Sequence, residues 1–124
     1  MNLVDSSAWL EYFTDGPNTR HFAPIVKTPE RLIVPTVILY EVWKVVLREQ
    51  GENAALQASA AMQKGKVIVL DAKLAIAAGK LSLLHSLPMA DAVILATARE
   101  HGATLWTQDA HFKAMAGVKY FPKI

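Results

Sequence analysis

Short apolar runs alternate along this chain with longer segments whose apolar positions recur every three or four residues. NLV (2–4), LIV (32–34), KVIVL (66–70), TLWT (104–107) and VKYF (118–121) read as short buried strands, KVIVL being the clearest. Between them the periodicity predicts helices over roughly 7–13, from Thr36 to a glycine stop at Gly51, over 52–64 to Gly65, and over 72–85. Two more are expected, one opened by Pro88 and ending near Gly102, and a short one over 109–116. Ser6 or Ser7 is the expected cap of the first helix, and DGPNTR (15–20) has loop chemistry. Strands that return only after long helical crossovers pair in parallel. The expected fold is therefore α/β, with a parallel sheet covered on both faces.

Composition adds limits to this picture. Hydrophobic residues make up 52% of the 124 and charged residues 19%, which fits a packed core rather than disorder. At this length residues 1–124 are expected to form a single domain that buries roughly two-thirds of its unfolded surface. No uncharged run approaches the length of about 18 residues needed to span a bilayer, so no membrane partner is expected. The opening MNLVDSSAWLEYF lacks a basic n-region and carries Asp5 and Glu11, unlike a secretory signal. The absence of cysteine excludes disulfides, thiolate zinc sites and cysteine nucleophiles, and it suits a cytoplasmic location. A net charge of +2 permits a nucleic-acid partner without arguing for one.

The acids carry the candidate chemistry. Ligands of open parallel sheets bind beyond the carboxyl ends of the strands. Asp5 follows NLV, Asp71 follows the VIVL run, and Asp109 lies two residues beyond TLWT. Asp71 opens the 72–85 helix and reads as its cap, Asp15 belongs to a turn, and Glu11, Glu30, Glu49, Glu52 and Glu100 read as solvated charges. Asp91 is different: in LPMADAVILATA it shares a helix face with Ile94, Leu95 and Ala98, where an uncompensated carboxylate costs several kcal/mol, roughly. Glu41 likewise interrupts VILYEVWKVVL, with Ile38 and Val45 close to its face and Lys44 and Arg48 along the same edge. Two readings stay open for it, a surface pair with Lys44 or a place in a metal site. Clustered carboxylates persist when a divalent ion neutralises them. A cysteine-free set of acids suits Mg²⁺ or Mn²⁺ rather than zinc, and such ions commonly borrow phosphate oxygens.

With these residues collected, the chain resembles the PIN-domain family along essentially its whole length, most closely the VapC-type toxins of bacterial toxin–antitoxin pairs. VDSSAW is similar to the family's first strand and acid and points to Asp5. PTVILYEVWKVV points to Glu41, LPMADAVILATA to Asp91, and LWTQDAHF to Asp109, with Thr107 as a supporting hydroxyl. Position 111 is His where many members carry another acid, which leaves four acids rather than five and gives His111 a supporting or surface position. The resemblance implies a three-layer α/β/α sandwich with a short, mainly parallel central sheet. It also implies Mg²⁺- or Mn²⁺-dependent endoribonuclease activity, an RNA substrate, a homodimer, and a small VapB-type antitoxin bound over the active site.

In that frame Asp5, Glu41, Asp91 and Asp109 are the expected catalytic metal ligands, with Ser6 or Thr107 orienting a carboxylate or a bound water. Lys44, Arg48, Arg99, Lys113 and Lys119 are candidates for the RNA backbone, while Trp43 and Trp106 read as packing residues before base-stacking ones. Apolar helix faces around 8–13 and 36–64 are the expected dimer surface. Three rivals are weighed against this: a catalytically silent binding or regulatory module on the same fold, a phosphoryl-accepting receiver or phosphatase, and a housekeeping nuclease of RNA maturation. The first gains nothing from four repelling carboxylates, and Asp5-Ser6-Ser7 lacks the adjacent or D-x-D acids of the second. The third differs little in sequence, and the compact size favours the toxin.

Overall fold

A computed structural model describes all 124 residues. The chain runs β1 (Asn2–Val4), α1 (Ser6–Phe13), α2 (Thr19–Val26), β2 (Leu32–Pro35), α3 (Thr36–Gln50), α4 (Glu52–Met62), β3 (Lys66–Ile68), α5 (Ala72–His85), α6 (Met89–Glu100), β4 (Thr104–Thr107) and β5 (Val118–Tyr120). Single 3₁₀ turns at Pro29–Arg31 and Ala110–Phe112 complete it. All five strands pair in parallel, in the order β3-β2-β1-β4-β5. From β1 the chain steps outward through β2 to β3, then returns across the sheet to β4. With right-handed crossovers, this reversal places α1–α4 on one face and α5–α6 on the other, an α/β/α sandwich.

Burial explains the strand runs. Leu3, Val4, Ile33, Val34 and Leu105 are buried to within 1% of completely, because both sheet faces are covered. The edge strand β3 is the exception; it keeps only three of the five residues expected, and Lys66 and Val67 are exposed. Trp9 and Phe22 from α1 and α2, Ile38 and Val42 from α3, and Ile94 and Leu95 from α6 fill the layers between helices and sheet. No single helix is long and apolar enough to cross a membrane.

Three further sequence expectations change. The loop expected over 15–20 ends early, since α2 begins at Thr19, packs against α1 and β1, and buries Phe22, whose ring meets Phe121 edge-on. The helix expected over 109–116 is one 3₁₀ turn, which buries Phe112 and then stops as the chain turns through Ala114 at φ +67°. The cap of α1 is Asp5 rather than Ser6 or Ser7, its carboxylate accepting from the Ser6 backbone N–H at 2.8 Å. Gly51, expected as a helix stop, both ends α3 and begins α4 at φ +90°, ψ 179°. That conformation is open to glycine alone, and it lets two helices meet with no linker.

Candidate functional site

The strand order reverses at β1, which has β2 on one side and β4 on the other. A crevice is expected where the carboxyl ends of such strands part. Asp5 leaves β1 there, buried to 2% exposure, and its backbone N–H donates to Trp106 O of β4 at 2.9 Å. Its Oδ2 accepts from Thr107 Oγ1 at 2.7 Å and from Ser7 Oγ at 2.9 Å. Burial pushes the Asp5 pKa up; these hydrogen bonds oppose the shift, and Asp109 adds to it.

Glu41 lies on α3, about a turn and a half from its start, and turns inward to accept from Ser6 Oγ at 3.1 Å. Ser6 thereby links Glu41 to Asp5. The surface-pair reading fails, since Lys44 sits over the Tyr40 ring, 5.8 Å from its centroid, and Arg48 pairs with Glu49. The Glu41 pKa is raised by burial first, and by repulsion from Asp5, Asp91 and Asp109.

Asp91 projects from the first turn of α6, where no side chain caps the helix. Its neighbours Ala92–Ala98 are all buried, so this helix is enclosed on every side rather than along one stripe. The Asp91 side chain is 13% exposed, and burial raises its pKa, with the His111 contact opposing. His111 Nδ1 lies 2.6 Å from Asp91 Oδ2 and 3.4 Å from Asp109 Oδ1. That contact with Asp91 in turn raises the His111 pKa. Asp109 caps the 3₁₀ turn by accepting from the His111 backbone N–H at 2.9 Å, and its own N–H donates to Thr107 Oγ1 at 2.9 Å. Thr107 thus ties the Asp5 side of the crevice to the Asp109 side.

The structure therefore brings Asp5, Ser6, Glu41, Asp91, Thr107, Asp109 and His111 to one sheet edge. Lys113 is exposed two residues beyond His111, and Lys119 is exposed on β5. Arg99 stands apart, with Lys73 and Lys80 in a groove between α5 and α6 at the end of α6 away from Asp91. Trp43 packs against the core, and Trp106 stacks on Phe121 while its Nε1 donates to Asn2 Oδ1 at 2.9 Å. Both tryptophans follow the packing reading.

The sequence reading missed the support behind Asp5. Ser7 Oγ accepts from the Gln108 N–H at 3.0 Å, and Gln108 Oε1 accepts from Asn18 Nδ2 at 2.7 Å, with Asn18 and Gln108 both buried. Glu11, expected as a solvated charge, accepts from the Asn18 N–H at 2.7 Å and holds this loop. The Ser-Ser doublet after Asp5 was the available signal; contacts 90 or more residues apart in sequence had none.

No lysine or arginine pairs with any of the four clustered acids. One ligand atom each from Asp91, Asp109 and His111 lies within 4.8 Å of the other two, a spacing that a small divalent cation can bridge. An acid cluster with a buried member and no fixed cation fits such an ion.

A family model described as PIN domain matches residues 3–118. A search of curated proteins gives no match. Among solved structures, a toxin–antitoxin complex from Klebsiella pneumoniae is similar at 20% identity, covering 100% of both chains with a TM-score of 0.85. VapC20 of Mycobacterium tuberculosis, a toxin that cleaves the sarcin–ricin loop, is 23% identical over 94% of this chain and 95% of its own, TM-score 0.77. FitAcB from Neisseria gonorrhoeae is 19% identical over 98% of this chain and 96% of its own, TM-score 0.73. At these identities the likeness is one of fold.

Proposed function

The chain belongs to the PIN-domain family, and from that premise we propose that it is a divalent-metal-dependent endoribonuclease, the toxin of a toxin–antitoxin pair. In this reading residues 1–124 are one nuclease domain acting in the cytoplasm, and a small VapB-type antitoxin is its inhibitor. The observation that carries the reading is the convergence of Asp5, Glu41, Asp91 and Asp109 at the carboxyl ends of β1 and β4 with no lysine or arginine to neutralise them. A silent binding module would bear that repulsion for no return. The toxin assignment draws support from similar folds described as a toxin–antitoxin complex and a toxin.

Asp5, Glu41, Asp91 and Asp109 would hold Mg²⁺ or Mn²⁺. When bound there, the ion supplies a counter-charge for the scissile phosphate and lowers the pKa of a coordinated water. The chain's own residues position that chemistry. Thr107 and Ser7 fix Asp5 Oδ2, Ser6 fixes Glu41, and the Thr107–Asp109 bond holds the two halves of the crevice in register. The proposed homodimer has two apolar faces open to it. Tyr40, Leu47 and Leu56 are exposed on α3 and α4, the face expected from sequence, and Ile76, Leu83 and Leu84 are exposed on α5.

Hydrolysis by water, rather than by the neighbouring 2′-hydroxyl, leaves 5′-phosphate and 3′-hydroxyl ends. The test is RNA cleavage titrated with Mg²⁺ or Mn²⁺, run beside Asp91→Asn. Cleavage by the wild type should require the ion, and the variant should lose at least about a hundredfold in rate. Equal activity of both proteins, full activity in EDTA, or cyclic 2′,3′-phosphate ends would reject the proposal.

A further inference from the structure

Three side chains from two segments meet at one end of the acidic crevice. Asp91 comes from the first turn of α6; Asp109 and His111 come from the 3₁₀ turn after β4. His111 Nδ1 is 2.6 Å from Asp91 Oδ2 and 3.4 Å from Asp109 Oδ1, so the nitrogen is aimed between two carboxylates rather than at solvent. Its placement is held by the backbone. The His111 N–H donates to Asp109 Oδ1 at 2.9 Å, and the next residue, Phe112, is anchored in the core at 0% exposure. The rest of the side chain stays open, 58% exposed. Divalent ions hold oxygen and nitrogen ligands at roughly 2.0–2.2 Å. An ion among these three atoms therefore asks for a slight parting of Nδ1 from Oδ2 and for the Nδ1 proton to leave to solvent, the ring keeping its hydrogen on Nε2.

We infer that His111 is a direct nitrogen ligand of the metal centre proposed above, and that it turns the ion preference away from Mg²⁺ toward first-row transition ions. The inference rests on that centre and adds to it. Mg²⁺ favours oxygen ligands and keeps its waters, so it gains little from an imidazole. Transition ions gain from nitrogen in the order Mn²⁺, then Fe²⁺, then Co²⁺. An oxygen–oxygen–nitrogen set at this end of the crevice thus discriminates among ions, where a fourth carboxylate would not. A histidine that only orients Asp91 by hydrogen bonding would change the affinity for every ion alike.

Calorimetric titration of the wild type, His111→Ala and His111→Asp with Mg²⁺ and with Co²⁺ tests this, together with pulsed EPR of the Mn²⁺-loaded proteins. Thermal melts check that each variant folds, as expected for an exposed side chain. The Co²⁺-to-Mg²⁺ affinity ratio should fall about tenfold or more in both variants. The ¹⁴N modulation of bound Mn²⁺ should be present in the wild type and absent from His111→Ala. An unchanged ratio and no nitrogen signal in the wild type, with Co²⁺ binding still lost in Asp91→Asn, would reject His111 as a ligand and leave the metal centre standing. A wild type that binds no divalent ion would reject the centre and this inference together.

Discussion

Asp5 accepts hydrogen bonds from the Ser6 N–H, Ser7 Oγ and Thr107 Oγ1 yet lies among groups that make its charge costly. Its pKa is raised by burial, as are those of Glu41 and Asp91. A carboxyl whose folded pKa exceeds its unfolded one binds more protons in the folded state between those two values. Unfolding free energy therefore falls as pH rises through the window just above the ordinary carboxylate range. His111 acts in the same direction by the opposite charge. Its raised pKa gives stability that is fully present below its usual value near 6.5 and is lost as pH rises through the folded pKa. Metal-free protein should accordingly melt at a higher temperature near about pH 5 than near about pH 8. Asp5→Asn should flatten that profile and melt above the wild type at neutral pH while losing divalent-ion binding and cleavage. A saturating ion, at about a hundred times its Kd, should return about 2.7 kcal/mol to the wild type and nothing to the variant. Asp5→Asn melting lower than metal-free wild type at neutral pH would contradict the account of burial and repulsion.

Among the elements, α6 and the α3–α4 junction show two different ways in which local sequence becomes structure. The Asp91 helix reads as amphipathic in LPMADAVILATA, but seven successive residues after Asp91 are buried, because α5 and the sheet enclose it. Local periodicity cannot separate a stripe from full enclosure when the polar residues on the far side are themselves small; Thr97 satisfies its hydroxyl on Val93 O at 2.7 Å and fits inside. At Gly51 the sequence was sufficient, since a glycine after a long periodic run marks a helix end. Gly51→Ala should cost about 1–3 kcal/mol in a denaturant or thermal melt, through backbone strain at φ +90°. No atom lies within 4 Å of the added Cβ, so a steric clash would not explain the loss. An unchanged melt would show that the junction relaxes freely. The α2 helix escaped sequence reading for a related reason. Its eight residues include Pro24 and follow turn-forming DGPN, and their order comes from docking Phe22 and from the Glu11–Asn18 contact.

Over the whole molecule, charge is sorted rather than balanced. A net charge of +2 conceals an acidic crevice on one sheet edge and cations spread over other surfaces. If RNA enters that crevice, the cations beside it act on the phosphate backbone and those far from it do not. Lys113 is two residues from His111, whereas Arg99 sits with Lys73 and Lys80 at the opposite end of α6. Lys113→Gln should reduce the slope of log affinity against log salt by about 0.7 for a single-stranded RNA, and Arg99→Gln should leave it unchanged. Filter-binding or anisotropy titrations at several salt concentrations, done with the cleavage-deficient Asp91→Asn protein, measure both. Equal effects of the two substitutions would mean that RNA follows a different path across the surface.

What the sequence by itself determined was the alternation of strands and helices, the parallel sheet with its covered faces, and the four acids worth asking about. Those features depend on period, on glycine and proline chemistry, and on the cost of burying charge, all of which are local. Only the tertiary structure decided what each acid faces. It turned Glu41 from Lys44 toward Ser6, put Thr107 between Asp5 and Asp109, recruited Ser7, Gln108 and Asn18 behind Asp5, and brought His111 against Asp91 twenty residues away. The bonds of Thr107 to Asp5, of Gln108 to Ser7 and of Asn18 to Gln108 join segments that become neighbours only when β4 crosses back to lie beside β1. Hydrophobic spacing carries no record of that pairing, because it specifies which faces are buried and not which ends meet.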